Sequence, residues 1–262
     1  MSYHEELTLA CSVAAEAGAL AMRYQTGGVV TEEKADLSPV TVADRETEKL
    51  IVERILARYP KDGILGEEGA ARESGNGRKW IIDPIDGTRD FVRGIPTWAV
   101  LIGFEVEGAV VAGAAHFPSQ STTFSAITGA GAFRDQERIR ISTRREPSQS
   151  LACVNGFNHV LEFPFAPRLL DWLAPFWAVR SMGGCMDAML LAAGQAELWI
   201  EPYAAAWDLA PLKIILEEAG ARFLNFDGGC SIYGGNCVAC VPALEPAVRE
   251  LLSLQAAPAG IV

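Results

Sequence analysis

Apolar and polar residues recur with two different periods along this chain, and the periods predict its elements. Over residues 3–24 apolar side chains return every three or four positions, which predicts a helix that ends at Gly27 and Gly28. The same pattern predicts a second helix from about Asp44 to Tyr59. The polar residues 31–40 between them are typical of a loop or a hairpin.

From residue 64 onward, short apolar runs separated by glycine-rich turns predict strands. A hairpin is predicted over 97–115, with its turn near Glu107 and Gly108. The other predicted strands are 64–65, 80–82, 122–127, 132–141, 152–154, 197–200 and 238–241, and the later predicted helices are 187–195, 208–219 and 244–254. A polar joint near 146–150 suggests halves 1–146 and 147–262 that form one compact unit.

Composition and charge limit the function. The 33 acidic and 22 basic residues give a formal charge of -11, which argues against nucleic-acid binding. An anionic substrate would need local positive charge, and bound cations are one source of it. We expect no membrane association and a cytoplasmic location, because neither a signal pattern nor a long apolar run is present. Of the six cysteines, Cys237 and Cys240 form a C-x-x-C pair that resembles a buried strand more than a zinc or redox site.

The stretch from Trp80 to Thr88 has the highest density of candidate functional residues. An apolar run breaks at Pro84, and Asp83 and Asp86 lie on the break, followed by Gly87 and Thr88. Carboxylates on a rigid turn suit Mg2+, and a glycine-threonine turn can present amides to an anion. The stretch therefore predicts a site for a metal ion and a phosphate, with a solvated Asp-Pro turn as the structural alternative.

Three further carboxylates have two interpretations each. Glu67 lies in a Gly-Glu-Glu-Gly turn, where it is either an exposed residue or a ligand. Asp44 and Asp208 each lie near the start of a predicted helix, where a carboxylate is either a cap or a functional group. Pro211 is expected in the first turn of the second of these helices. The chain has no P-loop, Cys-x5-Arg, Asp-x-Asp or Gly-x-Ser-x-Gly motif, so carboxylates, metal ions and water are its expected reagents.

The three motifs Gly66-Glu67-Glu68, Asp83-Pro84-Ile85-Asp86-Gly87-Thr88 and Trp207-Asp208 together resemble the inositol monophosphatase family. This family comprises Mg2+-dependent, lithium-sensitive phosphomonoesterases, and the resemblance spans nearly the whole chain. It implies an α/β (α+β) fold, a layered α/β/α/β/α sandwich, and a homodimer. It also implies two or three Mg2+ ions per site, with Mn2+ as an alternative and Li+ or Ca2+ as inhibitors.

The resemblance assigns the metal ligands. Glu67, Asp83 and the Ile85 carbonyl match the ligands of a first metal ion. Asp83, Asp86 and Asp208 match those of a second, so Asp83 would bridge the two ions. Glu67 also matches the ligand of a third, weaker ion.

The resemblance also assigns catalytic and substrate-binding roles. Thr88 with Asp44 matches the pair that orients and deprotonates the attacking water, and Glu67 acts with them through its metal. The amides of Gly87 and Thr88 match the phosphate cradle, and Asp86 is expected to contact substrate as well as metal.

The substrate is expected to be a small polyol or amino-alcohol monophosphate. Glu201 matches a residue that binds substrate hydroxyls, and the segment from Glu201 to Pro211 resembles the histidinol-phosphate phosphatase branch. That branch usually has an acidic residue after the glycine of the turn at Gly183, where this chain has Gly184. Inositol monophosphate and histidinol phosphate both stay open, with a fructose-bisphosphatase, a 3′-nucleotidase or a binding and regulatory protein on the same fold as alternatives.

Overall fold

The computed structural model describes residues 3–28, 31–33 and 39–254. Within this part, helices alternate with two main sheets, and no helix is long and apolar enough to cross a membrane. The helices are α1 (His4–Gly27), α2 (Val42–Arg58), α3 (Thr88–Arg93), α4 (Phe157–Val160), α5 (Ala166–Leu173), α6 (Gly184–Ala192), α7 (Ala206–Ala219) and α8 (Glu245–Leu251). The first strands are β1 (Thr31–Glu33), β2 (Pro39–Thr41), β3 (Gly63–Gly66), β4 (Ala71–Arg72), β5 (Arg78–Asp86), β6 (Ala99–Val106), β7 (Ala109–Phe117) and β8 (Thr122–Ile127). The remaining strands are β9 (Gly131–Arg134), β10 (Glu137–Ile139), β11 (Leu151–Val154), β12 (Ala178–Arg180), β13 (Leu198–Glu201), β14 (Arg222–Leu224) and β15 (Cys237–Cys240).

The larger sheet has eight strands in the order β10-β9-β8-β7-β6-β5-β3-β4. Its pairs are antiparallel except β3 with β5, which run parallel. The second sheet has five strands in the order β12-β11-β13-β15-β14. In it, β11 runs parallel to both β12 and β13, so these strands end at the same edge.

Helices cover both faces of the larger sheet. The helices α1 and α2 pack on one face, where Ile51 of α2 lies in one buried cluster with Trp80 and Phe104 of the sheet. On the other face α7 packs against β5 to β9, and it also contacts β14 of the second sheet. The pair α5 and α8 lies against the same core as the second sheet. This arrangement confirms the layered α/β/α/β/α sandwich.

Two glycines let α7 approach the larger sheet closely. Gly103 and Gly113 are direct partners on β6 and β7. A Cβ added at Gly103 would lie 2.7 Å from the Cβ of Ala210, and one at Gly113 would lie 2.8 Å from the Cα of Pro211. Side chains at these positions would therefore push α7 away from the sheet.

Several local predictions are confirmed. The first two helices and the hairpin of β6 and β7 form as expected, and Glu107 and Gly108 make its turn with φ of 51° and 84°. The strands β1 and β2 pair antiparallel, as a hairpin requires, although residues 34–38 between them lie outside the described residues. Cys237 and Cys240 are free and buried in β15, so the strand interpretation holds.

Other local predictions are wrong. The strand expected over 132–141 is two strands, because Asp135 adopts a left-handed conformation with φ of 56°. The strand β5 continues past Pro84 to Asp86 through a register shift, where a break was expected. The helix α7 begins at Ala206, which places Pro211 in its second turn. The larger sheet comes from residues before 146 and the second sheet from residues after it, but α7 contacts both, and the division into halves 1–146 and 147–262 stays a prediction.

Candidate active site

The irregular end of β5 presents two carboxylates. The strand pairs with β6 at Asp83 and again at Asp86, and the register shifts between them. Asp83 is 2% exposed, and its Oδ1 accepts a hydrogen bond of 3.0 Å from the Ile85 amide. The shift is a bulge, which redirects side chains that a regular strand would alternate across the sheet.

The start of α7 contributes a third carboxylate. Asp208 accepts a hydrogen bond of 2.6 Å from the Ala205 amide, which caps the helix and fixes the side chain. Carboxylate oxygens of Asp83, Asp86 and Asp208 lie within 4.8 Å of one another. The two sequence interpretations of Asp208 are therefore compatible, because one oxygen caps the helix while the carboxylate faces Asp83.

Burial raises the pKa of all three carboxyls, and the charges of nearby carboxylates raise it further. Burial raises the pKa of Asp83 well above its usual value, and the charges of Glu67, Asp86 and Asp208 raise it further. Burial and then the charge of Asp86 raise the pKa of Asp208 to about 7, and burial also raises the pKa of Asp86. Such a group of carboxylates favours bound protons or bound cations, because like charges disfavour the ionised forms.

The turn that carries Glu67 lies beside this cluster. The Glu67 amide donates to the Ile82 carbonyl at 3.1 Å, which ties the turn to β5. The Glu48 carboxylate on α2 accepts from the amides of Glu68 and Ala70 at 2.8 and 2.9 Å. Glu48 is 4% exposed, so a buried carboxylate fixes the position of the turn. Sequence reasoning missed Glu48, because its role depends on backbone amides that are distant in the chain.

Asp44 and Thr88 meet at the edge of the cluster. The Thr88 hydroxyl lies 3.4 Å from Oδ1 of Asp44 and 3.2 Å from the Ile85 carbonyl. The other oxygen of Asp44 accepts hydrogen bonds from the amide and hydroxyl of Thr41, which caps α2. Burial is the main reason that the pKa of Asp44 is raised to about 6. Asp44 is thus both a capping residue and a neighbour of Thr88.

A cavity of about 290 Å³ opens over these groups. All predicted site residues except Asp44 line it: Glu67, Asp83, Ile85, Asp86, Gly87, Thr88, Gly183, Gly184, Glu201 and Asp208. Asp44 lies behind Thr88. Gly87 adopts a left-handed conformation with φ of 88°, which turns the chain from β5 into α3.

Residues at the ends of strands in the second sheet also line the cavity. Glu201 ends β13, and Asn155 follows the parallel strand β11. The side-chain Nδ2 of Asn155 donates to Oε2 of Glu201 at 2.9 Å. Burial raises the pKa of Glu201 to about 8. A Cβ at Gly184 would lie 2.9 Å from that same Oε2, so Glu201 fills the space that a side chain at 184 would need. Asn155 had no recognisable signal in the sequence, because only the parallel pairing places it beside Glu201.

Comparisons with known proteins agree with this architecture. A model of the inositol monophosphatase family matches residues 2–256. The histidinol-phosphatase of Chlorobaculum parvum is 38% identical over 231 residues, covering 88% of this chain and 89% of that protein. The histidinol-phosphatase of Mycobacterium tuberculosis is 34% identical over 256 residues, covering 95% and 98%. The solved structure of the IMPase of Thermotoga maritima superposes with a TM-score of 0.85 at 26% identity, covering 96% of this chain and 97% of that one. The chain therefore belongs to the inositol monophosphatase family of phosphoric monoester hydrolases.

Proposed function

We propose that this protein is a Mg2+-dependent phosphomonoesterase that hydrolyses a small amino-alcohol monophosphate of the histidinol phosphate type. The observation that carries the proposal is the convergence of Asp83, Asp86 and Asp208, from two distant parts of the chain, within 4.8 Å. Burying three carboxylates together is unfavourable unless protons or cations compensate their charge.

The donor set suits a hard divalent cation. Its members are carboxylate oxygens and a backbone carbonyl, which are the ligands that Mg2+ prefers. Glu67, Asp83 and the Ile85 carbonyl would hold one ion, and Asp83, Asp86 and Asp208 a second. Glu67 would also hold a third, weaker ion. When bound, Mg2+ supplies positive charge that offsets the phosphoryl oxygens and makes water more acidic.

Asp44 and Thr88 are the proposed proton acceptors. The Thr88 hydroxyl, placed between Asp44 and the Ile85 carbonyl, can donate its hydrogen to Oδ1 of Asp44 and accept one from a water. Asp44 holds Thr41 with its other oxygen, so the side chain stays oriented toward Thr88. A pKa of about 6 suits a general base near neutral pH.

The remaining residues bind substrate. The amides of Gly87 and Thr88 are proposed to hold the phosphate, next to Asp86. The backbone at Gly183 and Gly184 is proposed to contact the alcohol, since both residues line the cavity and neither has a side chain. Glu201 is proposed to accept hydrogen bonds from the alcohol, since its side chain lines the cavity.

The choice of an amino alcohol follows the two histidinol-phosphatases, which match most of the chain. Inositol monophosphate is the second candidate, and the likeness to an IMPase structure favours it. We also propose that Mn2+ replaces Mg2+ in activity. Li+ and Ca2+ would inhibit, Ca2+ because it is larger and takes more ligands. We also propose that the protein is a homodimer and is located in the cytoplasm.

The test is phosphate release with Mg2+ from histidinol phosphate, inositol 1-phosphate, fructose 1,6-bisphosphate and 3′-phosphoadenosine 5′-phosphate. We expect the highest kcat/KM for histidinol phosphate. Asp86→Asn should abolish turnover while circular dichroism shows an intact fold. Asp44→Asn should lower kcat but keep the thermal stabilisation by Mg2+, which separates a base from a ligand. If the folded wild type releases phosphate from none of them with Mg2+ or Mn2+, and gains no heat stability from either ion, the binding-protein alternative is favoured.

A further inference from the structure

A further carboxylate, Asp90, lines the cavity beside the turn at Gly183. A Cβ added at Gly183 would lie 3.0 Å from Oδ2 of Asp90, as one at Gly184 would lie 2.9 Å from Oε2 of Glu201. Consecutive Cα atoms are about 3.8 Å apart, so the two carboxylates flank one short piece of backbone. Asp90 and Glu201 both line the cavity.

In each of the two carboxyl groups one oxygen accepts a hydrogen bond, and the other, called open below, accepts none. Oδ2 of Asp90 accepts a hydrogen bond of 2.6 Å from the Thr97 hydroxyl, and Oε2 of Glu201 accepts one from Asn155. Oδ1 of Asp90 and Oε1 of Glu201 accept no side-chain or backbone hydrogen bond from any residue that the structure describes. Glu201 is only 6% exposed, so its open oxygen has little access to bulk water.

Little positive charge from the protein lies beside these two carboxyl groups. Metal ions, when bound, would compensate the four carboxylates assigned to them, whereas the hydrogen-bond donors to Asp90 and Glu201 among the described residues are the uncharged side chains of Thr97 and Asn155. Among the described residues that line the cavity, Arg89 is the only basic one, and it is exposed. Tyr203 adds an aromatic ring to the lining, and its ring stacks on His159 with centroids 5.1 Å apart. The carboxylate of Asp90, an open oxygen of Glu201 and an aromatic ring in one cavity are together complementary to a cationic nitrogen.

We propose that Asp90, together with Glu201, binds a cationic nitrogen of the leaving-group alcohol, and that Asp90 determines the preference for cationic over neutral phosphomonoesters. This inference rests on the proposed function, because it names the part of the substrate that the same cavity selects. The Thr97 hydroxyl positions Asp90 for this contact, and the side-chain-free turn at Gly183 and Gly184 lets the nitrogen reach both carboxylates.

The decisive variant is Asp90→Asn, which removes the charge but keeps an oxygen that can accept from Thr97. We compare kcat/KM for histidinol phosphate with kcat/KM for glycerol 2-phosphate, a neutral alcohol's ester. The ratio of the two should fall about tenfold in the variant, since hydrogen bonds to charged groups are roughly twice as strong as neutral ones. Asp171→Asn, which removes an exposed charge on α5 away from the cavity, should leave the ratio unchanged. An equal loss on both substrates, or an unchanged ratio, would overturn the proposal.

A binding measurement separates this proposal from the proposed function. Calorimetry with histidinol alone requires no hydrolysis, and the Asp90→Asn protein should bind it about tenfold more weakly than the wild type. If the wild type binds histidinol in this charge-dependent way but hydrolyses no phosphomonoester, the proposed function fails and the cation subsite stands. If hydrolysis proceeds but Asp90→Asn binds histidinol as the wild type does, the subsite fails and the phosphatase stands.

Discussion

Asp44 and Glu48 lie one helical turn apart on α2, and each holds a different part of the candidate active site. Asp44 contacts the Thr88 hydroxyl, whereas Glu48 accepts hydrogen bonds from the Glu68 and Ala70 amides of the Glu67 turn. Residues four apart lie on the same face of a helix, so one stripe of α2 supports both the proposed base and a proposed metal ligand.

Replacing Glu48 should weaken metal binding, although Glu48 is not itself a proposed metal ligand. Glu48→Gln leaves one acceptor oxygen for two amides, which loosens the turn that carries Glu67. We expect the Mg2+ concentration for half-maximal thermal stabilisation to rise at least tenfold, as is typical when a residue that orients a metal ligand is changed. Glu53→Gln, an exposed change on the same helix, is the control. A Mg2+ titration of the Tm with the same midpoint in both variants would contradict this role.

Stabilisation by Mg2+ should increase with pH. Burial and the charge of Asp86 raise the pKa of Asp208 to about 7, so below that pH a bound proton competes with the ion. The apparent affinity should therefore rise about tenfold per pH unit for each proton displaced between pH 6 and pH 7. We would measure the Tm against Mg2+ concentration at pH 6, 7 and 8. A midpoint that is the same at all three values would rule out this competition.

Asp187 should make the fold less stable at high pH. It is fully buried at the start of α6, and Oδ1 accepts from the Met182 amide at 3.0 Å while Oδ2 has no hydrogen-bond partner in the described part of the chain. Burial raises its pKa to about 6, above the usual value of an unfolded aspartate. The folded state thus favours the protonated form, which predicts full stability at low pH and a loss as the pH rises through about 6.

The variant Asp187→Asn should remove this pH dependence. Relative to the wild type, the variant should gain about 3 kcal/mol in unfolding free energy at pH 8. This gain should be about 1 kcal/mol smaller at pH 5. Urea unfolding at both pH values measures it, with Asp171→Asn as an exposed control. A gain that does not change with pH would show that Asp187 affects packing only.

The contact between α7 and the larger sheet should not tolerate an added methyl group. In Gly113→Ala the new Cβ would lie 2.7 Å from Cγ2 of Ile214 and 2.8 Å from the Cα of Pro211. We expect a loss of about 1–3 kcal/mol in unfolding free energy, as overpacking costs, together with weaker Mg2+ binding because α7 carries Asp208. Gly27→Ala, where the added Cβ meets nothing within 4 Å, should be close to neutral. Equal stability of both variants would contradict the packing argument.

The metal-ligand candidates could be predicted because their signals are local. Asp83 and Asp86 lie at the end of one strand, and Glu67 lies in a turn beside it, so short motifs describe them. The structure brings these residues together with Asp208, and their metal-binding roles stay predictions. Glu48 gave no such signal, since its partners are backbone amides of a distant turn.

The sequence errors have physical causes as well. Asp135 interrupts an apolar run by adopting a left-handed conformation that aspartate tolerates, so one expected strand became two. Pro84 suggested a break, but a bulge accommodates it because the register shift removes the need for its missing donor. Asp90 has no recognisable signal in the sequence, because only the folded chain places it beside the turn at Gly183.

The placement of Asp208 on α7 has a consequence for synthesis of the chain. A ribosome completes β5 and the Glu67 turn well before α7 emerges, so a nascent or truncated chain holds only part of the acidic cluster. Docking of α7 between the two sheets is what brings the last carboxylate to the others. Binding of the proposed metal ion would then be a late event in folding, and only chains in which both sheets have assembled would bind it.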